Sequence, residues 1–405
     1  MKTYKPFIFF ATINFAFYLT ITFNSYITVF LQYIGFDERQ VGLVSAFTAL
    51  VGMVSVPAWG LLSDKLRNTQ GIITICLIAG GILFTFIPAV SGFSWFGVSV
   101  LFIFVPLVMF FRQPVMPLVD HWSIKNAQAQ RLNYGAIRAF GALGFSIMAL
   151  ILGYITPRTE MTFLFYLNAI LIVPVLLLLF LSRRIAPEAL TENMKRKPLA
   201  FKDMQFSLFF KNYYLVTYVI FTIFQRIPFQ GTMVFFPFLI YAVGGDITQL
   251  GLILGIRAAV EIPVMLLLKP LRARFPLYVL IIVATVFNII ELILYSFVTD
   301  FFWLVIISVL HGMTNGLMIP AKSSYIFSLA PEQLKATSQT VLSSTNAVAG
   351  IAGSLLGGWL IYLVGIRQFY LITGLVTGIF LILFALSFVF GEKVLGIKRP
   401  GLSLE

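Results

Sequence analysis

Long apolar stretches alternate with short polar breaks along the whole chain. Runs of about 20 apolar residues recur, each long enough as a helix to cross ~30 Å of hydrocarbon. The pattern predicts twelve spans: 6–34, 40–62, 70–90, 95–119, 132–155, 161–181, 211–241, 248–268, 276–298, 301–328, 337–364 and 368–390. Several exceed the minimum length, which implies tilt or ends lying in the interface. The short alternating segments of a barrel are absent. The first stretch is too long for a cleaved leader and has no small-residue cleavage site, so it is expected as a retained first span. The widest polar break, 182–210, carries Arg183, Arg184, Lys195, Arg196 and Lys197. It divides the chain into an N-terminal bundle (1–182), a cytoplasmic linker (183–210), a C-terminal bundle (211–391) and a cytoplasmic tail (392–405). At the end of the linker, Phe201, Met204, Phe206, Phe209 and Phe210 interleave with Lys202 and Lys211, a pattern expected of an interfacial helix. The fold class expected is an all-α membrane protein, twelve transmembrane helices in two pseudo-symmetric six-helix bundles.

Composition agrees with this reading. The chain is 60% hydrophobic and 11% charged, with a mean hydropathy of +0.97. The net charge of +13 would fit nucleic acid, but its placement argues otherwise. The outer loops hold only Arg39, Arg158 and Arg367, while Lys65, Arg67, Lys125, Arg131 and the linker cations fall on the opposite side. This positive-inside bias puts both termini in the cytoplasm. The partners expected are the bilayer, a small-molecule substrate and a coupling proton, with no nucleic acid, cofactor or metal, and the protein is expected as a monomer. The single Cys76 excludes an intrachain disulfide, and its apolar surroundings favour packing.

One short segment is written twice. Gly35-x-Asp37-x-x-Gln40-x-Gly42-Leu43 returns 209 positions later as Gly244-x-Asp246-x-x-Gln249-x-Gly251-Leu252. The same offset pairs Gly141 with Gly350 and Gly144 with Gly353. In a chain this hydrophobic, duplication points to alternating access, in which two similar bundles rock about a site between them.

Between spans 2 and 3 lies Gly60-x-x-x-Asp64-Lys65-x-Arg67. Gly60 permits close helix approach, Asp64 can cap or pair with another helix end, and Lys65 and Arg67 hold the cytoplasmic side. This resembles the loop signature of the major facilitator superfamily, whose members carry twelve helices in two halves.

Several ionisable residues fall within spans or at their ends: Arg112, Asp120, Arg138, Arg226, Arg257, Glu261, Glu291, His311 and Lys322. A charge at the bilayer centre costs roughly 2.5–3.5 kcal/mol on insertion scales, so such residues face a wet cavity, pair, or change protonation state. Arg257 and Glu261, four apart, share one helix face. They read either as a proton carrier or as a static salt bridge. Arg138 lies in a run containing Gly135, Gly141 and Gly144, whose small-residue spacing permits tight packing. Asp120, at the end of span 4, is either its partner or a helix-end charge. His311 is either a relay that titrates near neutral pH or a satisfied core histidine. Glu291 is placed toward the outer half, within reach of the interface. Asn14, Asn24, Asn288 and Asn315 fit helix–helix bonding or cavity lining equally.

With these residues in hand, the chain is similar to the lactose-permease and phenylpropionate-permease branch of the superfamily. That resemblance rests on Asp120, the Arg138-x-x-Gly141-x-x-Gly144-Phe145 run, Glu261, His311, and the late pattern with Pro331-Glu332 and Gly353-x-x-x-Gly357-Gly358. It implies a proton symporter in which Arg138 and Asp120 orient substrate, Glu261 links substrate to the proton site, and His311 bonds beside it. The chain departs from it by carrying Phe145 where a stacking Trp is expected, and by adding Arg112, Arg226 and Lys322. The expected sites are therefore Glu261, His311, Arg257 and Glu291 for proton coupling, and Arg138, Asp120, Phe145, Arg226, Arg112, Asn24 and Lys322 for a small polar or anionic solute such as a sugar, nucleoside or organic acid. The alternative is an exporter, a drug or metabolite antiporter of the same fold. An enzyme is not expected: the chain has no Walker loop, zinc-protease run or nucleophile elbow.

Overall fold

The computed structural model describes residues 4–185, 212–330 and 335–397. The linker helix expected around 201–210 and the Pro331-Glu332 pair lie outside the described residues. Two compact units make up the chain: Met1–Leu190 with Gly245–Ala259, and Thr191–Gly244 with Val260–Glu405.

In the first unit, the opening span runs from α1 (Tyr4–Ile21) through a 3-10 turn (Thr22–Tyr26) into α2 (Ile27–Tyr33). It is followed by α3 (Glu38–Leu66), α4 (Thr69–Thr85), the short α5 (Ile87–Val90), α6 (Leu101–Arg112), α7 (Val115–Ala129), α8 (Tyr134–Ile155) and α9 (Phe163–Ile185). The second unit has α10 (Tyr213–Val234), α11 (Phe236–Ala242), the later part of α12 (Ile247–Arg272), α13 (Leu277–Phe297), α14 (Phe301–Leu329), α15 (Lys335–Val364) and α16 (Ile366–Lys393). Among the described residues, 10 helices are long and apolar enough to span, or 11 if α10 and α11, bent by 52°, count as one. The remaining predicted span is α4, whose 17 residues reach only ~26 Å at 1.5 Å per residue.

The fourth span differs from its expected 95–119. Its predicted start is a β-hairpin in which Ser94 pairs with Ser99 and Trp95 with Val98. Phe96 and Gly97 form the turn at φ 50 and 77, the doubly positive turn that suits two-residue hairpins. The helix then continues to Ala129, so Asp120 lies inside α7 rather than at a span end.

The repeated segment builds the same device twice. Gly35 and Gly244 take left-handed φ of 94 and 78, which glycine adopts without steric penalty. Asp37 Oδ1 then accepts from Gln40 N at 2.8 Å, and Gln40 Oε1 accepts from Asp37 N at 3.0 Å. Asp246 and Gln249 repeat this reciprocal pair at 3.1 and 2.7 Å. Each capping box satisfies two of the four free N–H groups at a helix start.

The paired glycines let backbones meet. A Cβ at Gly144 would lie 2.5 Å from Phe15 O on α1, and one at Gly353 on α15 2.4 Å from Ile227 O on α10. Gly60 does not act this way: nothing lies within 4 Å of where its Cβ would be, because α3 leaves this turn half-exposed. Asp64, Lys65 and Arg67 are exposed, and Arg67 closes α3 in the left-handed region at φ 51. Each unit has an aromatic-rich core, around Phe10, Phe17, Tyr18 and Trp122 in the first and around Tyr218, Phe221, Tyr325 and Phe384 in the second.

The valine variant Gly144→Val drives a branched side chain into the α1 backbone. It is expected to destabilise the first unit by about 1–3 kcal/mol, read as a lower melting temperature of purified protein. An unchanged melting temperature would show that α1 and α8 can part without penalty.

Candidate functional site

Three polar clusters lie within the spans, two in the first unit and one in the second. They bring together most of the residues singled out from the sequence.

The first surrounds Arg112 at the end of α6, 8% exposed. Its Nε donates to Asn24 Oδ1 at 2.8 Å, Nη1 to Asn168 Oδ1 at 2.8 Å and Nη2 to Thr20 O at 3.3 Å. The guanidinium carbon stands 4.2 Å from the Phe84 ring centroid, a cation–π contact that desolvation strengthens. Gly80 makes the space: a Cβ there would lie 2.8 Å from Arg112 Cγ. The adjoining cavity is ≈ 20 Å³, room for about one water. Arg112 and Asn24, both expected to bind solute, are joined here by a closed network of neutral partners rather than around a solute-sized space. Asn168 is absent from the sequence-based set.

The second cluster joins α7 to α8. Arg138 Nε lies 3.8 Å from Asp120 Oδ1, with the side chains 22% and 27% exposed. Tyr134 donates its hydroxyl to the same oxygen at 2.9 Å, and the Arg138 guanidinium stands 4.4 Å from the Tyr18 ring centroid. Gly141, one turn after Arg138, lets Tyr18 approach: a Cβ at Gly141 would lie 2.6 Å from its ring. The glycine spacing therefore mounts the arginine on an aromatic face. Phe145 is half-buried and packs on the first unit's core.

Arg257 is buried at 5% exposure, and Glu261 is half-buried one turn further along α12. Two turns before Glu261, Ser146 Oγ of α8 donates to Gly255 O at 2.8 Å.

The third cluster spans α10, α13 and α14. Glu291 is 1% exposed and does not reach the interface, because its carboxylate is taken up internally. His311 Nδ1 lies 3.0 Å from Glu291 Oε1, Asn315 Nδ2 donates to His311 Nε2 at 2.9 Å, and Asn288 Nδ2 donates to Glu291 Oε2 at 3.5 Å. An Asn315 N–H donated to Nε2 leaves the proton of a neutral imidazole on Nδ1, facing the carboxylate. The His311 ring stacks on Phe229 at 5.8 Å and 13°, and the Arg226 guanidinium stands 5.1 Å from the same ring's centroid. Lys322, 2% exposed, donates from Nζ to Gln225 Oε1. Gln225 and Phe229 are further partners that sequence reading missed, since a neutral amide and one Phe among 43 carry no signal of their own.

Charged clusters held inside the spans of a polytopic helical chain fit a membrane transporter. The chain belongs to the MFS_1 like family, whose model matches residues 6–372. It is similar to the maltose permease of Geobacillus stearothermophilus, 26% identical over 328 residues that cover 80% of this chain and 77% of that protein. It is also similar to the uncharacterized transporter YwbF of Bacillus subtilis (strain 168), 24% identical over 343 residues, 84% and 82% of the two chains. Among solved structures, the nucleoside transporter NupG superposes with a TM-score of 0.77 at 17% identity, covering 94% of this chain and 98% of that one. A POT family transporter in complex with a thioalcohol-conjugated peptide gives 0.70 at 16%, covering 96% of each. At these identities the structures establish a common fold.

Replacing Asn168 with leucine removes a partner of a buried guanidinium. It is expected to lower stability by about 1–3 kcal/mol, measured by thermal unfolding of purified protein. No loss would mean that a water in the adjoining cavity takes over the bond.

Proposed function

We propose that the protein is a proton-coupled symporter of the cell membrane, importing a small polar or anionic organic solute (a sugar, nucleoside or organic acid) by alternating access. In this reading it acts as a monomer with both termini cytoplasmic, and the Gly60–Arg67 motif at the end of α3 serves the conformational change. The observation that carries it is the chain Asn288–Glu291–His311–Asn315, of which the first three residues are buried and Asn315 half-buried. A carboxylate and an imidazole held 3.0 Å apart share one exchangeable proton, and a site removed from water can hold it until the cavity opens. Glu261, half-buried on α12, links solute to that proton, and Arg257 tunes it. The partly exposed Arg138–Asp120 pair orients the solute, with Phe145 beside it. The name of one relative, a maltose permease, supports an importer of a small organic solute over an exporter.

In this scheme Arg112 and Asn24 hold the helices that carry the solute site, because the ≈ 20 Å³ cavity beside them admits no solute. Arg226 and Lys322 remain on the solute side, on the face of α10 and α14 that also carries Phe229 and His311.

Reconstituted vesicles test the coupling with labelled maltose, uridine and benzoate as probes. Wild-type protein should accumulate one of them in response to an inward proton gradient. Glu291→Gln should lose that accumulation while keeping solute exchange at equal concentrations, because only the protonatable group is removed. Uphill uptake by Glu291→Gln and His311→Asn at the wild-type level would sink the assignment.

A further inference from the structure

The second unit holds two cations that its proton chemistry does not use. Lys322 on α14 is 2% exposed, and among the described residues its Nζ has one partner, the neutral oxygen of Gln225. Arg226, the next residue on α10, is half-buried, and its Nε is buried without a hydrogen-bond partner. Its guanidinium stands 5.1 Å from the Phe229 ring centroid. Gln225, the partner of Lys322, directly precedes Arg226 on α10. No carboxylate among the described residues forms an ion pair with either; Glu291 is committed to His311 and Asn288.

A lone buried cation is expensive in a membrane interior, and two neighbouring ones more so, unless something of opposite charge joins them. The donors present are of the kind that bind an oxyanion: an ammonium with two N–H groups to spare, a guanidinium with an unused Nε–H, and an amide that can turn its NH₂ toward the same point. The Tyr218 hydroxyl donates to the backbone carbonyl of Lys322 at 3.3 Å and its ring packs edge-on to Tyr325 at 4.8 Å, tying α10 to α14 at this level.

We propose that Lys322, Arg226 and Gln225 form an anion subsite that takes a single carboxylate or an equivalent monovalent anion. The proposal rests on the transport reading only in taking this group to be part of the solute; the binding itself does not depend on coupling. Phe229 connects the subsite to the proton chain, since the Arg226 guanidinium stands over the ring on which His311 stacks. An anion that draws Arg226 away from the ring changes the electrostatic surroundings of His311.

Thermal unfolding of the purified full-length protein tests this at constant ionic strength, with sodium benzoate, sodium chloride or benzyl alcohol as probes. Benzoate is expected to raise the melting temperature saturably by several degrees, as mass action requires of a ligand bound by the folded state, and benzyl alcohol to leave it unchanged. Lys322→Gln should abolish the shift. Gln225→Glu, which supplies a built-in carboxylate to Lys322, should raise the melting temperature without added anion and remove the response to benzoate. This variant keeps the test decisive if Lys322→Gln does not fold. A saturable Lys322-dependent shift with chloride as well as benzoate supports the subsite and makes its occupant a free inorganic anion; a shift with benzoate alone makes it the solute's carboxylate. No saturable shift with either anion, or a shift that survives Gln225→Glu, overturns the proposal. A protein that shows the shift but fails proton-driven uptake overturns the symport reading and leaves the subsite standing.

Discussion

Hydrocarbon does not solvate charge, and that single constraint organises the interior of this protein. An ionised side chain inside a span must find its solvation within the chain. Arg112 finds it in two amide oxygens, a backbone carbonyl and the face of Phe84. Arg138 finds it in Asp120 and Tyr18, and Glu291 in His311 and Asn288. These solutions differ in openness. Arg112 is nearly enclosed, at 8% exposure, whereas Arg138 and Asp120 keep about a quarter of their side-chain surface. In the proposed reading, closure serves architecture and partial exposure serves binding, so the same chemistry gives a structural arginine and a solute-facing one in the same unit.

Glycine placement lets these clusters form. At Gly80 and Gly141 the missing side chain leaves the room that Arg112 and Tyr18 occupy, and at Gly144 and Gly353 it lets two backbones touch. Packing and polar chemistry are therefore set by the same residues. The valine that would wedge α8 off α1 would also move the helix on which Arg138 is mounted.

The spans were legible because a membrane helix satisfies its backbone locally and declares itself by length and hydropathy. The errors came where local turn chemistry outweighed hydropathy. Trp95, Phe96 and Val98 read as the start of a span, yet the positive φ of Phe96 and Gly97 folds them into a hairpin. Arg138 with Asp120, and Arg112 with Asn24, were readable as charges or amides out of place. Their remaining partners were not. Asn168 meets Arg112 from 56 residues away and Gln225 meets Lys322 from 97, and neither neutral amides nor single aromatic rings betray such long-range pairing. Glu291 seemed bound for the interface because its histidine partner, 20 residues on, becomes a neighbour only when α13 and α14 pack together. The offset of 209 sets Arg138 opposite Ala347 and His311 opposite Phe102, so the two copies of the scaffold carry different side chains at these positions.

The two capping boxes have a consequence for how such a chain is made. Each needs only residues within three positions of one another and nothing from any other helix. The starts of α3 and α12 can therefore be fixed while the chain is still emerging from the ribosome, before the helices they will pack against exist. In a protein whose polar clusters must wait for distant partners, these two points are complete from the moment of synthesis, and later assembly can take its bearings from them.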